Sequence, residues 1–360
     1  MKNWIYILST LIILTSCKKN LVVMSITPYE LEIPSHFPAM PIPEDNPMSV
    51  EGVELGRKLF YDTRLSLDNS ISCASCHNQT SGFSDNAQFS TGVNGATGNR
   101  QSMALVNLGW QSSFFWEGRA ETLEEQILHP VRDPLEMNQT WEVTAEKLKQ
   151  VEDYQNDFYQ VFDVVNFDST HISKAIAQFL RTLISSQSKY DVMYKFNNNL
   201  PLNTFEQELY AQITNEEWAG MDLFFSLTNG DCLHCHDGPL MQVQGLFSNN
   251  GLDETFTDIG RMIVTGNPND KGKFKVPSLR NIEVSAPYMH DGRFSNLDEV
   301  INHYSFGVVE SSTIDPMMEF SHQGGVQLDA QEHNLIKAFL KTFTDHEFLN
   351  NPDFKDPGAP

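Results

Sequence analysis

The sequence predicts a mainly α-helical protein that is built from two similar modules. The first observation is a repeated C-x-x-C-H motif, found at residues 73–77 and again at residues 232–236. The second is that apolar residues at helical spacing lead into each motif, and a long stretch rich in Gly, Asn, Ser and Asp follows it. The third is that the sequence has no strand-rich stretch, so helices and loops must form both modules.

Each motif is typical of the covalent attachment of a c-type haem. The two thiols of the first motif, Cys73 and Cys76, can each add to a haem vinyl group. His77, which follows directly, is then held under the iron as its proximal ligand. The second motif repeats this set with Cys232, Cys235 and His236. We therefore predict two haem c groups; the alternative is one zinc site with four cysteine ligands.

The composition limits the class of protein. A chain of 360 residues is long enough for two cores, and its 40% hydrophobic and 11% aromatic content excludes a disordered protein. Lys and Arg number 24 against 47 Asp and Glu, which gives a formal net charge of −23. Such a charge repels nucleic acid and suits a basic protein partner, although it is equally explained by solubility.

The N-terminus predicts export. Lys2 precedes an apolar run at residues 4–14, and Leu14-Thr15-Ser16-Cys17 follows as a lipobox-like sequence. Residues 1–17 are therefore predicted to be a lipoprotein signal peptide whose Cys17 becomes the lipid-modified first residue. The alternative is a transmembrane anchor, but the apolar run is short for a bilayer. We predict a bacterial lipoprotein in the periplasm or at the cell surface, attached to the membrane only through Cys17.

The first module is predicted to cover residues 49–200, after a tether and proline-rich strap at residues 18–48. Residues 78–102 are rich in Gly, Ser, Asn and Thr and predict loops after the first motif. Thr122-x-x-Glu125 is typical of a capping box and opens a short helix that is expected to stop at Pro130. Further helical patterns lie at residues 49–60, 140–162 and 170–194.

The second module is predicted to cover residues 201–345 and to repeat the plan of the first, with residues 346–360 as a tail. Thr214-x-x-Glu217 caps the helix that leads to the second motif, and Asp329-x-x-Glu332 caps the last helix. Between these two helices, the chain is mostly loop.

Several longer motifs accompany the two haem motifs. They are Leu55-Gly56-x-x-Leu59-Phe60-x-Asp62-x-Arg64-Leu65-Ser66, Phe115-Trp116-Glu117-Gly118-Arg119, Glu136-Met137, Pro277-Ser278-Leu279-Arg280-Asn281 and Ala286-Pro287-Tyr288-Met289-His290-Asp291-Gly292. In this order and spacing they resemble the bacterial di-haem cytochrome c peroxidase family, which includes the MauG-type enzymes. The resemblance implies two cytochrome c-like haem domains that pack around an inter-haem interface.

The resemblance also implies a reaction and its residues. In this family hydrogen peroxide is reduced at the first, peroxidatic haem, and electrons arrive through the second, electron-transfer haem. Glu136 matches the family's distal glutamate, the acid/base group that moves a proton between the two peroxide oxygens. Trp116 matches the tryptophan that lies between the haems and helps to carry electrons.

Two departures from the family pattern concern the iron ligands. Peroxidases that need reductive activation carry a histidine ligand in the loop after the first motif, but here no histidine occurs between His77 and His129. The first haem is therefore expected to have an open sixth position. At the second haem, Tyr304 stands where the family usually has an axial methionine. MauG-type proteins also carry a tyrosine at this place. The alternatives for this ligand are His303, Met317 and Met318.

The family further binds a calcium ion between the haems. Its backbone carbonyl ligands match Ser285 and Pro287, and the side-chain ligand position holds Gln101 in place of an asparagine. Glutamine still offers an amide oxygen to a hard cation, so one Ca²⁺ is predicted.

Three hypotheses about function follow. The first is an exported di-haem peroxidase that reduces hydrogen peroxide with electrons from a small redox protein, either a cytochrome c or a cupredoxin. The second is a MauG-like enzyme that uses peroxide to oxidise residues of a partner protein. The third is a di-haem electron carrier without catalysis. No nucleic-acid partner is expected, and a homodimer is left open.

Overall fold

The structure of the protein is a computed structural model, and it describes residues 26–358. The predicted signal peptide and Cys17 lie outside the described residues. Within them, helices dominate, which confirms the mainly α fold class. Their bounds are α1 Val50–Tyr61, α2 Leu123–Arg132, α3 Trp141–Lys149, α4 Glu152–Phe162, α5 Ser169–Thr182, α6 Lys189–Asn197, α7 Thr204–Tyr210, α8 Asn215–Phe224, α9 Met262–Thr265, α10 Leu297–Asn302, α11 Ala330–Lys341 and α12 His346–Asn350.

The sheet content is small, as predicted. In the described part of the chain, one antiparallel sheet joins β1, Phe247–Ser248, to β2, Phe274–Lys275. No helix of residues 26–358 is long and apolar enough to cross a membrane.

Side-chain caps decide where several helices begin. Thr214 and Glu217 bond reciprocally at the start of α8, and Asp329 and Glu332 do so at α11, which confirms two of the three predicted capping boxes. At α2 the Thr122 hydroxyl accepts from the Glu125 N–H as predicted, but the Glu125 carboxylate accepts from the Glu121 N–H and not from that of Thr122. Helix α2 differs from its prediction. It continues through Pro130 to Arg132, because a proline in the last turn removes only one helical hydrogen bond.

Two predicted helices are each divided in the structure. Residues 140–162 form α3 and α4, with a break at Gln150 and Val151. Residues 170–194 form α5 and the start of α6, and the segment between them is extended. Here the Asn107 side chain accepts a hydrogen bond from the Ser185 N–H at 2.9 Å, and the Asn107 N–H donates to the Leu183 carbonyl at 3.0 Å. These bonds replace the helical ones and explain the break.

Two hydrophobic cores form around the two motifs. The first is built on α1 to α5, and the second on α6, α8, α10 and α11. Helix α6 contributes Tyr190 and Met193 to the second core, although the sequence placed it in the first module. The described part of the predicted tail, residues 346–358, returns to the first core, where Phe348 and Phe354 pack around Phe83 with ring centroids 5.6 and 6.3 Å away.

The strap crosses from one module to the other. Phe37 packs edge-on against Trp110, with ring centroids 5.3 Å apart, and Leu240 completes a small third core. The neighbouring His36 Nε2 lies 2.7 Å from the buried Asp191 carboxylate of α6. The strap therefore contacts both halves of the molecule.

The two cores repeat the same helix crossing. A Cβ atom at Gly56 of α1 would overlap the Ala175 carbonyl oxygen of α5, and one at Gly220 of α8 would overlap the Leu335 carbonyl oxygen of α11. In both crossings the partner helix also places a phenylalanine next to the glycine, four residues after the overlapped carbonyl: Phe179 in α5 and Phe339 in α11. The glycines therefore allow backbone contact between the two helices of each pair, just before each haem motif.

Replacing Gly56 by alanine is expected to lower the free energy of unfolding by about 1–3 kcal/mol, because the added methyl group forces α1 away from α5. Urea denaturation of the holoprotein measures this change. Glu54→Ala, on the exposed face of the same helix, is the matched control and should change stability by no more than about 0.5 kcal/mol. Equal effects of the two substitutions would contradict the close crossing.

The repeat continues into the loops, where residues 101–130 correspond to residues 275–304 without insertion. Asn107 and Asn281 both adopt a left-handed conformation, with φ of 54° and 60°. Phe115 and Met289 do the same, with φ of 67° and 76°. Matching antiparallel bridges then follow, Phe114 with Ala120 and Tyr288 with Phe294. Equivalent positions in the two modules can therefore be compared directly.

Candidate functional site

Both C-x-x-C-H motifs open into one internal cavity of about 1220 Å³. Cys76 and His77 of the first motif line it, together with Cys232, Cys235 and His236 of the second. The described residues contain no group of three or more His, Cys, Asp or Glu side chains that could hold a metal ion. The four cysteines therefore do not converge on one site, and the zinc alternative is rejected.

The residues of the two motifs fit covalently bound haem. All four cysteines are free thiols. Burial raises the pKa of Cys73 and of Cys232 to about 12, so both thiols are neutral. Thiols that are not paired in disulfides, beside a large cavity, are free to add to haem vinyl groups.

The two histidines are oriented in the same way. His77 Nδ1 donates to the Phe83 carbonyl at 2.9 Å, and His236 Nδ1 donates to the Met241 carbonyl at 3.4 Å. Each bond leaves Nε2 as the unprotonated nitrogen, the form that binds iron. Burial lowers the pKa of His77 and brings that of His236 to about 4, so both rings are neutral at pH 7. Both motifs therefore suit haem c.

Glu136 lies in a turn between α2 and α3, and its side chain lines the cavity. Its N–H donates to the Asp133 carbonyl at 3.0 Å, and its carbonyl accepts from Val93 N–H at 2.8 Å. The residue as a whole is exposed to solvent, but many protein atoms surround its carboxyl group. Burial, with a smaller contribution from Asp133, raises the pKa of Glu136 to about 7, while Arg119 opposes the shift. A carboxyl with this pKa can take up and release protons near neutral pH.

Trp116 lines the same cavity and is 9% exposed. Its indole Nε1–H donates to the Gln101 carbonyl at 2.8 Å. Two further backbone bonds connect the modules here: Lys275 N–H donates to the Trp116 carbonyl at 2.6 Å, and Gln101 N–H donates to the His290 carbonyl at 2.8 Å. The two bonds are equivalent under the internal repeat, because Gln101 corresponds to Lys275 and Trp116 corresponds to His290. Trp116 therefore lies at the centre of the contact between the modules.

Tyr304 lies on a π-helical turn, His303–Gly307, and its side chain lines the cavity. Its hydroxyl accepts a hydrogen bond from Asn250 Nδ2 at 2.9 Å. His303 points elsewhere, since its Nε2 donates to the Asn250 carbonyl at 3.1 Å. Of the three alternative ligands in the described chain, only Met318 also lines the cavity.

The internal repeat adds an argument about the first haem. Pro130 of the first module occupies the position of Tyr304 in the second, and His129 occupies that of His303. A proline side chain offers no donor atom to a metal ion. The two modules therefore differ at the position that the sequence predicts to carry the second axial ligand.

The predicted calcium ligands are all part of the cavity wall. Gln101, Ser285 and Pro287 all line it. The Gln101 amide Nε2 donates to Ser84 Oγ at 3.0 Å and to the Asp85 carbonyl at 3.2 Å, which fixes the orientation of the amide. The calcium ion itself stays a prediction.

The sequence did not predict a network of two arginines and two carboxylates beside Trp116. Glu117 is 3% exposed and pairs with both Arg100 and Arg119. Arg100 also forms a bidentate pair with Asp258, at 2.8 and 2.9 Å. The Glu117-Gly118-Arg119 motif contains two members of this network. Asp258 lies in a loop without any pattern, so its role could not be found in advance.

Comparison with known proteins supports the same class. A family model described as di-haem cytochrome c peroxidase matches residues 50–199. The cytochrome c551 peroxidase of Nitrosomonas europaea is 33% identical over 90% of this chain and 87% of its own length. The methylamine utilization protein MauG of Methylorubrum extorquens is 31% identical over 84% of this chain and 81% of its own.

A solved structure of a MauG-like protein associated with microbial copper homeostasis is 33% identical, with a TM-score of 0.80. The alignment covers 91% of this chain and 99% of that one. Fold and sequence thus define a mainly helical protein of a class that implies two c-type haems. The chain belongs to the di-haem cytochrome c peroxidase family and is an oxidoreductase of the peroxidase type.

Proposed function

We propose that this protein is an exported di-haem peroxidase that reduces hydrogen peroxide to water with electrons from a small redox protein, a cytochrome c or a cupredoxin. The observation that carries this proposal is Glu136, a carboxyl with a pKa of about 7 on the wall of a cavity that His77 shares. Reduction of one peroxide to two waters consumes two electrons and two protons. A group that exchanges protons near pH 7 is therefore what the reaction needs.

The haems, when bound, supply the iron that takes up peroxide and the electrons that reach it. Glu136 accepts the proton from one peroxide oxygen and returns it to the other, so that the second oxygen leaves as water. The pairing of Arg119 with buried Glu117 keeps a positive charge near Glu136. This charge favours the ionised carboxylate that accepts the first proton.

The difference between the modules supports our assignment of their roles. Pro130 leaves the first module without a side-chain donor at the position of Tyr304, so His77 belongs to the haem that binds peroxide. Tyr304 offers a ligand in the second module, so His236 belongs to the haem that receives electrons. Trp116 lies in the wall between the two motifs, and we propose it as the bridge for electron transfer.

The assay for this function uses purified holoprotein with a reduced cytochrome c or a reduced cupredoxin. Addition of hydrogen peroxide should oxidise two equivalents of donor for each peroxide consumed. Failure of both donor classes to be oxidised, with both haems present, would contradict the proposal.

The pH dependence of turnover gives a further prediction. Because Glu136 must be ionised to accept a proton and its pKa is about 7, kcat/KM for peroxide is expected to rise with pH up to about 7 and then level off. Well below the pKa, each unit of pH should change kcat/KM by about tenfold. Steady-state rates from pH 5.5 to 8.5 measure this. A flat profile would remove Glu136 as the proton acceptor.

A second candidate is a MauG-like enzyme that uses peroxide to oxidise residues of a partner protein. The position of Tyr304 favours it, because a phenolate ligand lowers the haem potential relative to methionine. The two functions differ in what is consumed. Mass spectrometry would find covalently oxidised residues in a partner protein under this hypothesis, and none under simple peroxidase turnover. A non-catalytic electron carrier, the third hypothesis, would have no use for Glu136.

The cellular location is part of the same proposal. We infer export from residues 1–17 and attachment to the membrane through a lipid on Cys17. Mass measurement of the mature N-terminus tests both, since an unmodified Met1 would exclude them. Calcium at Gln101, Ser285 and Pro287 is also proposed, with elemental analysis of the holoprotein as its test.

A further inference from the structure

Lys275 is a buried cation in the wall of the shared cavity. The residue is 5% exposed and belongs to β2, whose Lys275 N–H bonds to the Trp116 carbonyl. Its ammonium donates to Gln111 Oε1 and to the Ser113 carbonyl, both at 3.1 Å, and lies 5.8 Å from the Phe114 ring centroid. These partners are neutral, so they satisfy hydrogen bonds without balancing the charge.

Within residues 26–358, no carboxylate forms an ion pair with Lys275. Burial alone acts on the pKa of this lysine and lowers it to about 8. A buried, unpaired charge costs several kcal/mol, and proteins normally balance it with an opposite charge. The described part of the chain offers no such charge here, and Lys275 lines the cavity.

The internal repeat shows what kind of site holds this ammonium. Lys275 of the second module corresponds to Gln101 of the first. Gln111 and Ser113, which bind the ammonium, correspond to Ser285 and Pro287. The ammonium therefore occupies the repeat-related counterpart of the predicted calcium position, for which Gln101, Ser285 and Pro287 are the expected ligands. The second module fills this place with a cation that belongs to its own chain.

We propose that Lys275 is a tethered cation that binds a propionate carboxylate of a haem in the shared cavity. Haem is the anionic group that both motifs bring into this space, and each haem carries two carboxylates. Lys275 belongs to the second module, and its partners Gln111 and Ser113 belong to the first. Because the site lies between the modules, either the haem at His77 or the haem at His236 can supply the carboxylate. This inference rests on the two haems and not on peroxidase activity.

The test is a potentiometric titration of both haems, without peroxide or donor. Lys275→Met should keep both haems but lower the midpoint potential of the haem whose carboxylate is bound, because a nearby cation stabilises the reduced, less positive haem. The haem whose midpoint potential falls is the one that supplies the carboxylate. Lys275→Arg retains the charge and should stay near the wild-type potential.

Lys273→Met is the matched control, since Lys273 lies two residues away and pairs with Asp270 at 3.7 Å. It should change neither potential. Unchanged potentials in Lys275→Met, or an equal fall in Lys275→Arg, would overturn the proposal. If the Met variant fails to hold both haems, Lys275→Gln is compared with Lys275→Arg. Haem loss in the Gln variant alone supports the ionic role, and haem loss in both variants refutes it.

Discussion

Replacing Glu136 by glutamine is expected to lower peroxide turnover by about 100-fold or more, while both haems stay attached with unchanged spectra. Glutamine has nearly the same size and keeps the turn at residues 133–137, which is held by backbone bonds and by the Asp133 side chain. Its amide cannot accept the proton that peroxide must lose, so only proton transfer is removed. Steady-state donor oxidation gives the rate, and absorption spectra of both redox states report the haems.

The control for this experiment is Glu142→Gln, an exposed glutamate in the first turn of α3. It changes the net charge by the same amount without touching the cavity, so its turnover should equal that of the wild type. The pH limb below about 7 should also disappear in Glu136→Gln, because the titrating carboxyl is gone. Full activity in this variant would assign proton transfer to another group.

The haem motifs and the main helix starts could be predicted because they are local. A C-x-x-C-H sequence carries its own chemistry within five residues, and caps such as Asp329 with Glu332 bond within one turn. Distant partners were not predictable in this way. The break between α5 and α6 depends on Asn107, and the return of Phe348 to the first core depends on contacts with Phe83.

The internal repeat was visible in the sequence only as two similar plans. The detailed match of residues 101–130 with 275–304 rests on backbone conformation, and the side chains differ at most positions. Phe115 and Met289 share a left-handed φ, which bulky residues rarely adopt and which sequence patterns therefore do not suggest. Lys275 was missed for a similar reason, since a lysine in a short strand is usually exposed.

Replacing Tyr304 by phenylalanine is expected to change the electron paramagnetic resonance signal of one haem only. The resting ferric protein should show one high-spin haem, at the open site of His77, and one low-spin haem with His236 and Tyr304 as ligands. Phenylalanine fills the same space but has no oxygen, so the low-spin signal should convert to high spin. Electron paramagnetic resonance of the frozen, resting protein measures both signals.

Tyr288→Phe is the matched control, because Tyr288 is a second tyrosine that lines the same cavity. Its hydroxyl donates to the Ile282 carbonyl at 2.7 Å, so its loss should leave both signals unchanged. Burial raises the pKa of Tyr304, whereas the hydrogen bond from Asn250 lowers it and favours the phenolate that binds iron. An unaltered low-spin signal in Tyr304→Phe would transfer the ligand role to Met318, the other candidate that reaches the cavity.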